Sequence, residues 1–199
     1  MVSVPHLSFF KEIFAIPGFL RDPILCFGFQ EFGEGATLDG KRYRDLGEYF
    51  ATKGLRGESL DLFDPRSELH YDMNDPVPAM EHDRYGTFID IGSIEHVFDT
   101  RQCFENCLRM VAPGGHYMLH TPVNGYYGHG FHVFNPECLL GAIQLNGFRV
   151  IYEKYSTTDG IPVTDPSASW TLAWIVARKE RAMGKFVCPQ QGKWSTRYA

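Results

Sequence analysis

Clusters of positive charge are missing from this chain. Its 19 Lys and Arg stand against 24 Asp and Glu, giving a net charge of −5, and no run of cations appears. A polynucleotide-binding surface, which normally leaves a basic patch, is therefore not expected. Long apolar runs are missing too. The amino-terminal stretch MVSVPHLSFFKEIFAIPGFLRDP is interrupted by Lys11, Glu12 and three prolines, so neither a signal peptide nor a membrane span is expected. The five cysteines (Cys26, Cys103, Cys107, Cys138, Cys188) form no Cys-x-x-Cys pair and no metal-finger spacing. An odd, scattered set fits reduced thiols and a cytoplasmic setting. A Gly-x-Gly-x-x-Gly loop is absent as well, which counts against a nicotinamide-dependent oxidoreductase.

What is present reads as one open α/β sheet. At 199 residues with 44% apolar content, the chain is long enough for a core without staples. Leu7, Phe10, Ile13 and Phe14 fall at helical spacing over 6–15, ahead of Pro17 and Gly18. This short helix is expected to cover a sheet edge rather than act as a lid. ILCFGFQ (24–30) reads as a buried strand, and Tyr43, Leu46 and Phe50 as one face of a helix ending at Gly54. SLDLF (59–63) and ELHYDM (68–73) read as two further strands, but the intervening DPRS is too short to carry a crossover helix. The sheet is thus reduced there, or one of the two strands does not form.

The stretch from Thr87 to Pro122 has the clearest pattern. It predicts a strand over 87–92, a helix burying Phe104, Cys107, Leu108 and Val111, a turn at Pro113-Gly114-Gly115 and a strand over 116–121. Asn135 is a good N-cap with Pro136 at the first helical position, and Gly147 stops that helix. FRVIYEKY and WTLAWIVARK follow as strands, and RAMGKFVCPQQGKWSTRYA, which lacks periodicity, as a surface tail. The expected organisation is a helical extension (1–22), a domain (23–180) and a tail (181–199).

Four segments carry a family resemblance: YDMNDPVP (71–78), SIEHVFD (93–99), LRMVAPGGHYMLHTP (108–122) and GHGFHVFNPECL (128–139). In this order and spacing they resemble the class I S-adenosylmethionine-dependent methyltransferases, in particular small-molecule methyltransferase-like proteins with an EHVF turn after the fourth strand. The resemblance implies a Rossmann-like, mostly parallel seven-stranded sheet with an antiparallel last strand. It places adenosylmethionine over the carboxyl ends of strands one to four.

On that reading Gly28 gives close backbone approach, and Asp61 or Asp64 accepts the ribose hydroxyls. Asp72 meets the adenine amino group with Met73 against the ring, and Gly92 and Ser93 border the methionine moiety. The family's first motif, an acid followed by alternate glycines, is altered: Cys26 replaces the acid and Gln30 the second glycine. Gln30, or Glu31, is left to substitute as an acceptor. His96 or His129 is the expected base for a small hydroxylated or amine-bearing acceptor, a sugar or secondary metabolite, with O-methylation favoured. His96 can instead cap a helix start or bond a backbone carbonyl, and His132 can simply brace its loop.

Some methyltransferases that this chain resembles hold a metal through Glu-x-x-Glu-His and a later histidine. Glu95, His96 and His132 match part of that set, but Gly92 stands where its first Glu would be, and no metal is expected. The loops 123–134 and 156–169 and the amino-terminal helix are expected to shape the acceptor pocket, with Tyr126, Tyr127 and Phe131 able to stack on a ring or sugar face. The alternative reading is a catalytically inactive methyltransferase-like binding or subunit protein, expected if the loop from Gly28 to Gly35 blocks the pocket. Oligomeric state is left open.

Overall fold

The computed structural model describes residues 1–167 and 170–190; the end of the 156–169 loop and residues 191–199 of the tail lie outside them. Seven strands form one sheet: β1 (Ile24–Phe27), β2 (Gly57–Leu60), β3 (Tyr85–Ile91), β4 (Val111–Asn124), β5 (Phe148–Thr157), β6 (Pro162–Val163) and β7 (Thr171–Lys179). Their order is β2-β1-β3-β4-β7-β5-β6. β1 to β4 pair in parallel, and β7 runs antiparallel between β4 and β5. Among the described residues four α-helices flank the sheet: α1 (Leu7–Phe14), α2 (Leu46–Thr52), α3 (Thr100–Met110) and α4 (Pro136–Leu145). This is the expected α/β architecture with its last strand reversed.

β3 is buried along its whole length, as a central parallel strand covered on both faces must be. One face packs against α3 and α4 through Phe104, Cys107, Leu108, Leu139 and Ile143. The other is covered by α1 and α2, where Phe9, Phe10 and Ile13 join Cys26, Ile89, Met118 and Trp174. The first helix therefore lies over a sheet face and not along an edge. Phe9 stacks on Trp174 at 4.8 Å, and Phe10 meets the same indole edge-on at 5.4 Å.

Several element ends differ from the sequence reading, each for a local reason. β1 stops at Phe27 because Gly28 turns away at φ +82°. β2 stops at Leu60 because the Asp61 carboxylate accepts the Phe63 and Asp64 N–H groups and folds the chain back. ELHYDM then contributes a single parallel bridge, Leu60 to Leu69, and no strand. Tyr43 precedes its helix, which is capped by Asp45 accepting from the Glu48 N–H at 2.8 Å.

Val111 is the first residue of β4 rather than the last of α3, and Pro113-Gly114-Gly115 falls within that strand, where the pairing with β3 shifts register. The buried Lys179 ammonium holds this junction by donating to the Leu108 and Val111 carbonyls at 3.1 and 2.6 Å. Residues 181–190 have no regular structure, yet they are not a free surface tail. Phe186 is buried in the core, and Asn146 bonds both the N–H and the carbonyl of Val187.

Candidate functional site

A cleft of about 600 Å³ opens at the carboxyl ends of β1, β2 and β3, where open α/β sheets bind ligands. It brings together Gly28, Asp61, Asp72, Met73, Gly92, Ser93 and His96 from four separate turns. Gly28 sits at φ +82°, and a Cβ there would stand 2.9 Å from Ser93 Oγ and 3.0 Å from Gln30 Nε2, so both side chains would have to move. Ser93 locks the floor, its hydroxyl donating to the Phe27 carbonyl at 2.7 Å and its N–H to Asp90 at 3.0 Å. The Asp72 carboxylate accepts from the Asn74 N–H and side chain, which holds its pKa below the usual carboxylate value. Met73 is buried beside it.

Two of the expected cofactor contacts do not reach the cleft. Asp64 turns outward onto Arg66, whose guanidinium holds its pKa down to about 2; Asp61 is the carboxylate left on the cleft wall. Gln30 is buried and donates to the Phe27 carbonyl at 2.8 Å and, more weakly, to that of Ile91 at 3.4 Å. Its own carbonyl oxygen accepts from the Met1 amino group at 2.7 Å. It therefore ties the ends of β1 and β3 together and faces away from the cleft. Glu31 is paired outward with Arg66, and burial pushes the Cys26 thiol up to about 12. None of the three replaces the missing first-motif carboxylate. Of the loop from Gly28 to Gly35, only Gly28 lines the cleft, which stays open.

Beyond Ser93 a histidine pair forms. His96 lies on the cleft wall, and His129 faces it at 5.1 Å between ring centroids. Burial, with His129 adding to it, lowers the His96 pKa and keeps the ring neutral. No hydrogen bond ties the His96 ring to a backbone carbonyl among the described residues. His129 reaches this place because its loop docks on the turn carrying Glu95. The Phe131 and His132 N–H groups both donate to the Glu95 carbonyl, at 2.9 and 3.1 Å. Gly130 permits the contact, since a Cβ there would sit 2.9 Å from that same oxygen. His132 braces the loop instead, bonding the Phe98 carbonyl at 3.1 Å and stacking on Phe134.

The burial of Glu95 and Asp90 is not evident from spacing in the sequence. Glu95 is 1% exposed; Oε2 accepts from Thr121 at 3.0 Å, while Oε1 has no hydrogen-bond partner among the described residues. Burial lifts its carboxyl to about 7. Asp90 is fully buried, and desolvation, with Glu95 nearby, raises its pKa well above the usual value. An acid inside the apolar run TFIDIG was the available signal for Asp90, because an ionisable residue in a buried strand needs a purpose. Glu95 is marked in the sequence only by its place in the Glu-x-x-Glu-His pattern, and nothing there signals its burial. Glu95, His96 and His129 each bring one donor atom within 4.8 Å of the others. The third donor is thus His129, not His132.

Solved structures share this arrangement of strands and helices. An S-adenosylmethionine-dependent methyltransferase from Mesorhizobium loti is 13% identical, with a TM-score of 0.55, covering 88% of this chain and 98% of its own. The fold is that of the class I methyltransferases. A second such protein, from Listeria monocytogenes, described as putative, aligns at 10% identity and a TM-score of 0.56 over 89% of this chain and 99% of its own. The Burkholderia thailandensis 1,6-didemethyltoxoflavin-N1-methyltransferase, solved with its acceptor and S-adenosylhomocysteine, is 16% identical with a TM-score of 0.55, covering 89% of this chain and 79% of its own. No protein-family model and no curated protein sequence matches the chain. Among the described residues no helix is long and apolar enough to cross a membrane.

Proposed function

We propose that this methyltransferase-fold protein binds S-adenosylmethionine and transfers its methyl group to the hydroxyl of a small molecule, in a cytoplasmic setting. One observation carries the reading: Gly28, Asp61, Asp72, Met73, Gly92 and Ser93 converge on one cleft whose next wall residue is His96. Their chemistry suits the cofactor. Gly28 offers backbone where a side chain would collide. Asp61, its Oδ1 engaged by the turn and its Oδ2 only by a long 3.5 Å bond from the Phe29 N–H, has acceptor capacity left for a ribose diol, and Asp72 is an ionised acceptor for the adenine amino group.

Bound adenosylmethionine would supply an electrophilic methyl group. The chain's own residues then hold the acceptor and take its proton. His129 is the base, because its ring faces His96 at the cleft wall and its Nε2 stands 3.8 Å from the Glu95 carboxyl. His96, kept neutral, lines the wall where the acceptor oxygen must sit and orients it. The alternative, an inactive binding protein, rests on the altered first motif. The open cleft beside Gly28 favours the enzyme.

Calorimetric titration with adenosylmethionine and adenosylhomocysteine tests the reading. Saturable one-to-one binding of both is expected, and failure of either to bind at millimolar concentration overturns it.

A further inference from the structure

Four rings run outward from the cleft in an unbroken edge-to-face series. His96 meets His129 at 5.1 Å, His129 meets Tyr126 at 5.8 Å, and Tyr126 meets Trp170 at 5.3 Å, with interplanar angles of 63° to 67°. The two outer rings are held there against backbone preference. Tyr126 and Trp170 both sit at φ +56°, a region non-glycine residues rarely adopt and which collects at ligand-binding sites. Gly125 makes the approach possible, since a Cβ there would stand 2.8 Å from the Trp170 nitrogen. Thr158 fixes the Tyr126 ring through a 2.6 Å hydroxyl contact. Across the mouth, Phe98 and Phe131 meet edge-on at 6.0 Å, and both remain mostly exposed.

Charge narrows the occupant. No Lys or Arg lines the cleft, whereas Asp61 and Asp72 do. Buried Glu95 lies behind His129, and Asp159 acts on Tyr126. An anionic acceptor would find no Lys or Arg in the cleft lining to pair with, and two carboxylates in it. The Tyr126 hydroxyl is already engaged by Thr158, so the series offers ring faces and edges rather than polar tips.

Building on the methyl-transfer reading, we infer that the acceptor is an uncharged phenol. Its ring stacks on the Trp170–Tyr126 platform and its hydroxyl points to His129. The phenol O–H proton passes to His129; the oxygen forms the new C–O bond; the methyl–sulfur bond breaks with its electron pair left on sulfur, giving adenosylhomocysteine.

The test uses the whole chain in two arms. Saturation-transfer NMR with unsubstituted naphthol needs no cofactor and should show binding to the wild type. A Trp170→Gly variant, whose backbone is relieved at φ +56°, should weaken that binding about tenfold. Radiolabelled methyl transfer to naphthol, hydroxybenzoate and methyl glucoside should favour naphthol, with KM raised about tenfold in Trp170→Gly and adenosylmethionine affinity unchanged. Naphthol that fails to bind, naphthol affinity indifferent to Trp170→Gly, or preference for the carboxylate or the sugar overturns the inference. Loss of cofactor binding alone overturns the methyl-transfer reading, and the NMR arm still decides the platform.

Discussion

Oε1 of Glu95 and Nε2 of His129 stand 3.8 Å apart, and that carboxylate oxygen has no hydrogen bond among the described residues. The pair is made by tertiary packing: one loop carbonyl, that of Glu95 itself, accepts two N–H groups from the histidine's loop. The carboxyl thus faces the ring nitrogen that would take the acceptor's proton during transfer. Glu95→Gln keeps an oxygen for Thr121 and removes the charge. Expected is a kcat lowered by about tenfold or more, as for partial loss of general-base catalysis. With the carboxyl lifted to about 7, wild-type kcat should climb through that pH, and the Gln variant should lose the climb. Steady-state pH profiles check both.

The same carboxyl should oppose stability at high pH. Its folded pKa of about 7 lies above the ordinary glutamate value of 4.5, so between those values the folded chain holds more protons than the unfolded one. Stability then falls as pH rises through this window. Folded and unfolded values differ by about 2.5 units, a cost of roughly 3 kcal/mol above pH 7. Glu95→Gln should therefore be more stable than wild type at pH 8 and nearly equal at pH 4.5, by urea denaturation. A variant that loses activity while gaining stability is the mark of a strained functional group.

The sheet was legible where local chemistry decides it. Asn135, Pro136 and Gly147 bound α4 because capping depends on neighbours in sequence, and β3 reads as buried because every residue is apolar or small except Asp90. The missing strand over 68–73 was only half legible: the short DPRS gap raised the conflict, but the Asp61 turn that resolves it does not show in an apolar pattern. Gln30 was misread because its partners, the Phe27 and Ile91 carbonyls and the Met1 amino group, include groups 61 and 29 residues away. The burial of Glu95 and the place of Trp170 were hidden for a similar reason. Burial of one and the left-handed backbone of the other come from packing, not from spacing.

Asp61 and Asp64 are separable by substitution. Both follow β2, but Asp61 lines the cleft and Asp64 is paired with Arg66 on the outside. Asp61→Asn keeps an oxygen for the turn and loses the charge. A hydrogen bond to a charged acceptor contributes about 1.5–3 kcal/mol, so adenosylhomocysteine affinity should fall by roughly ten- to a hundredfold. Asp64→Asn should change it by less than about threefold, because an exposed ion pair contributes little. Titration calorimetry on both variants gives the comparison, and equal losses would place the ribose contact elsewhere.

The two histidines of the GHGFH loop should also part company. His129 faces His96 and Glu95, whereas His132 bonds the Phe98 carbonyl and packs on Phe134. His129→Asn should lower kcat by about a hundredfold or more with cofactor affinity intact. His132→Asn should act on loop order instead, raising acceptor KM while leaving the pH profile of kcat in place. The KM-against-kcat split, measured at saturating cofactor, distinguishes a proton acceptor from a brace.

Gly28 carries two separate demands, and a second glycine allows them to be told apart. Its φ of +82° disfavours any side chain, and a Cβ would also press on Ser93 and Gln30 at 2.9 and 3.0 Å. Gly40 shares the first demand, at φ +73°, but has nothing within 4 Å of its would-be Cβ. Alanine at either site should cost about 1–2 kcal/mol for the left-handed backbone. Only Gly28→Ala should disturb the Ser93 hydroxyl that caps β1 and the Gln30 bond that ties β1 to β3. It should therefore lose additional stability and most of its adenosylmethionine affinity, while Gly40→Ala binds the cofactor as wild type does. Urea denaturation and calorimetry on the pair decide the matter. If Gly28→Ala binds normally, the cofactor does not approach this backbone, and the cleft serves a different ligand.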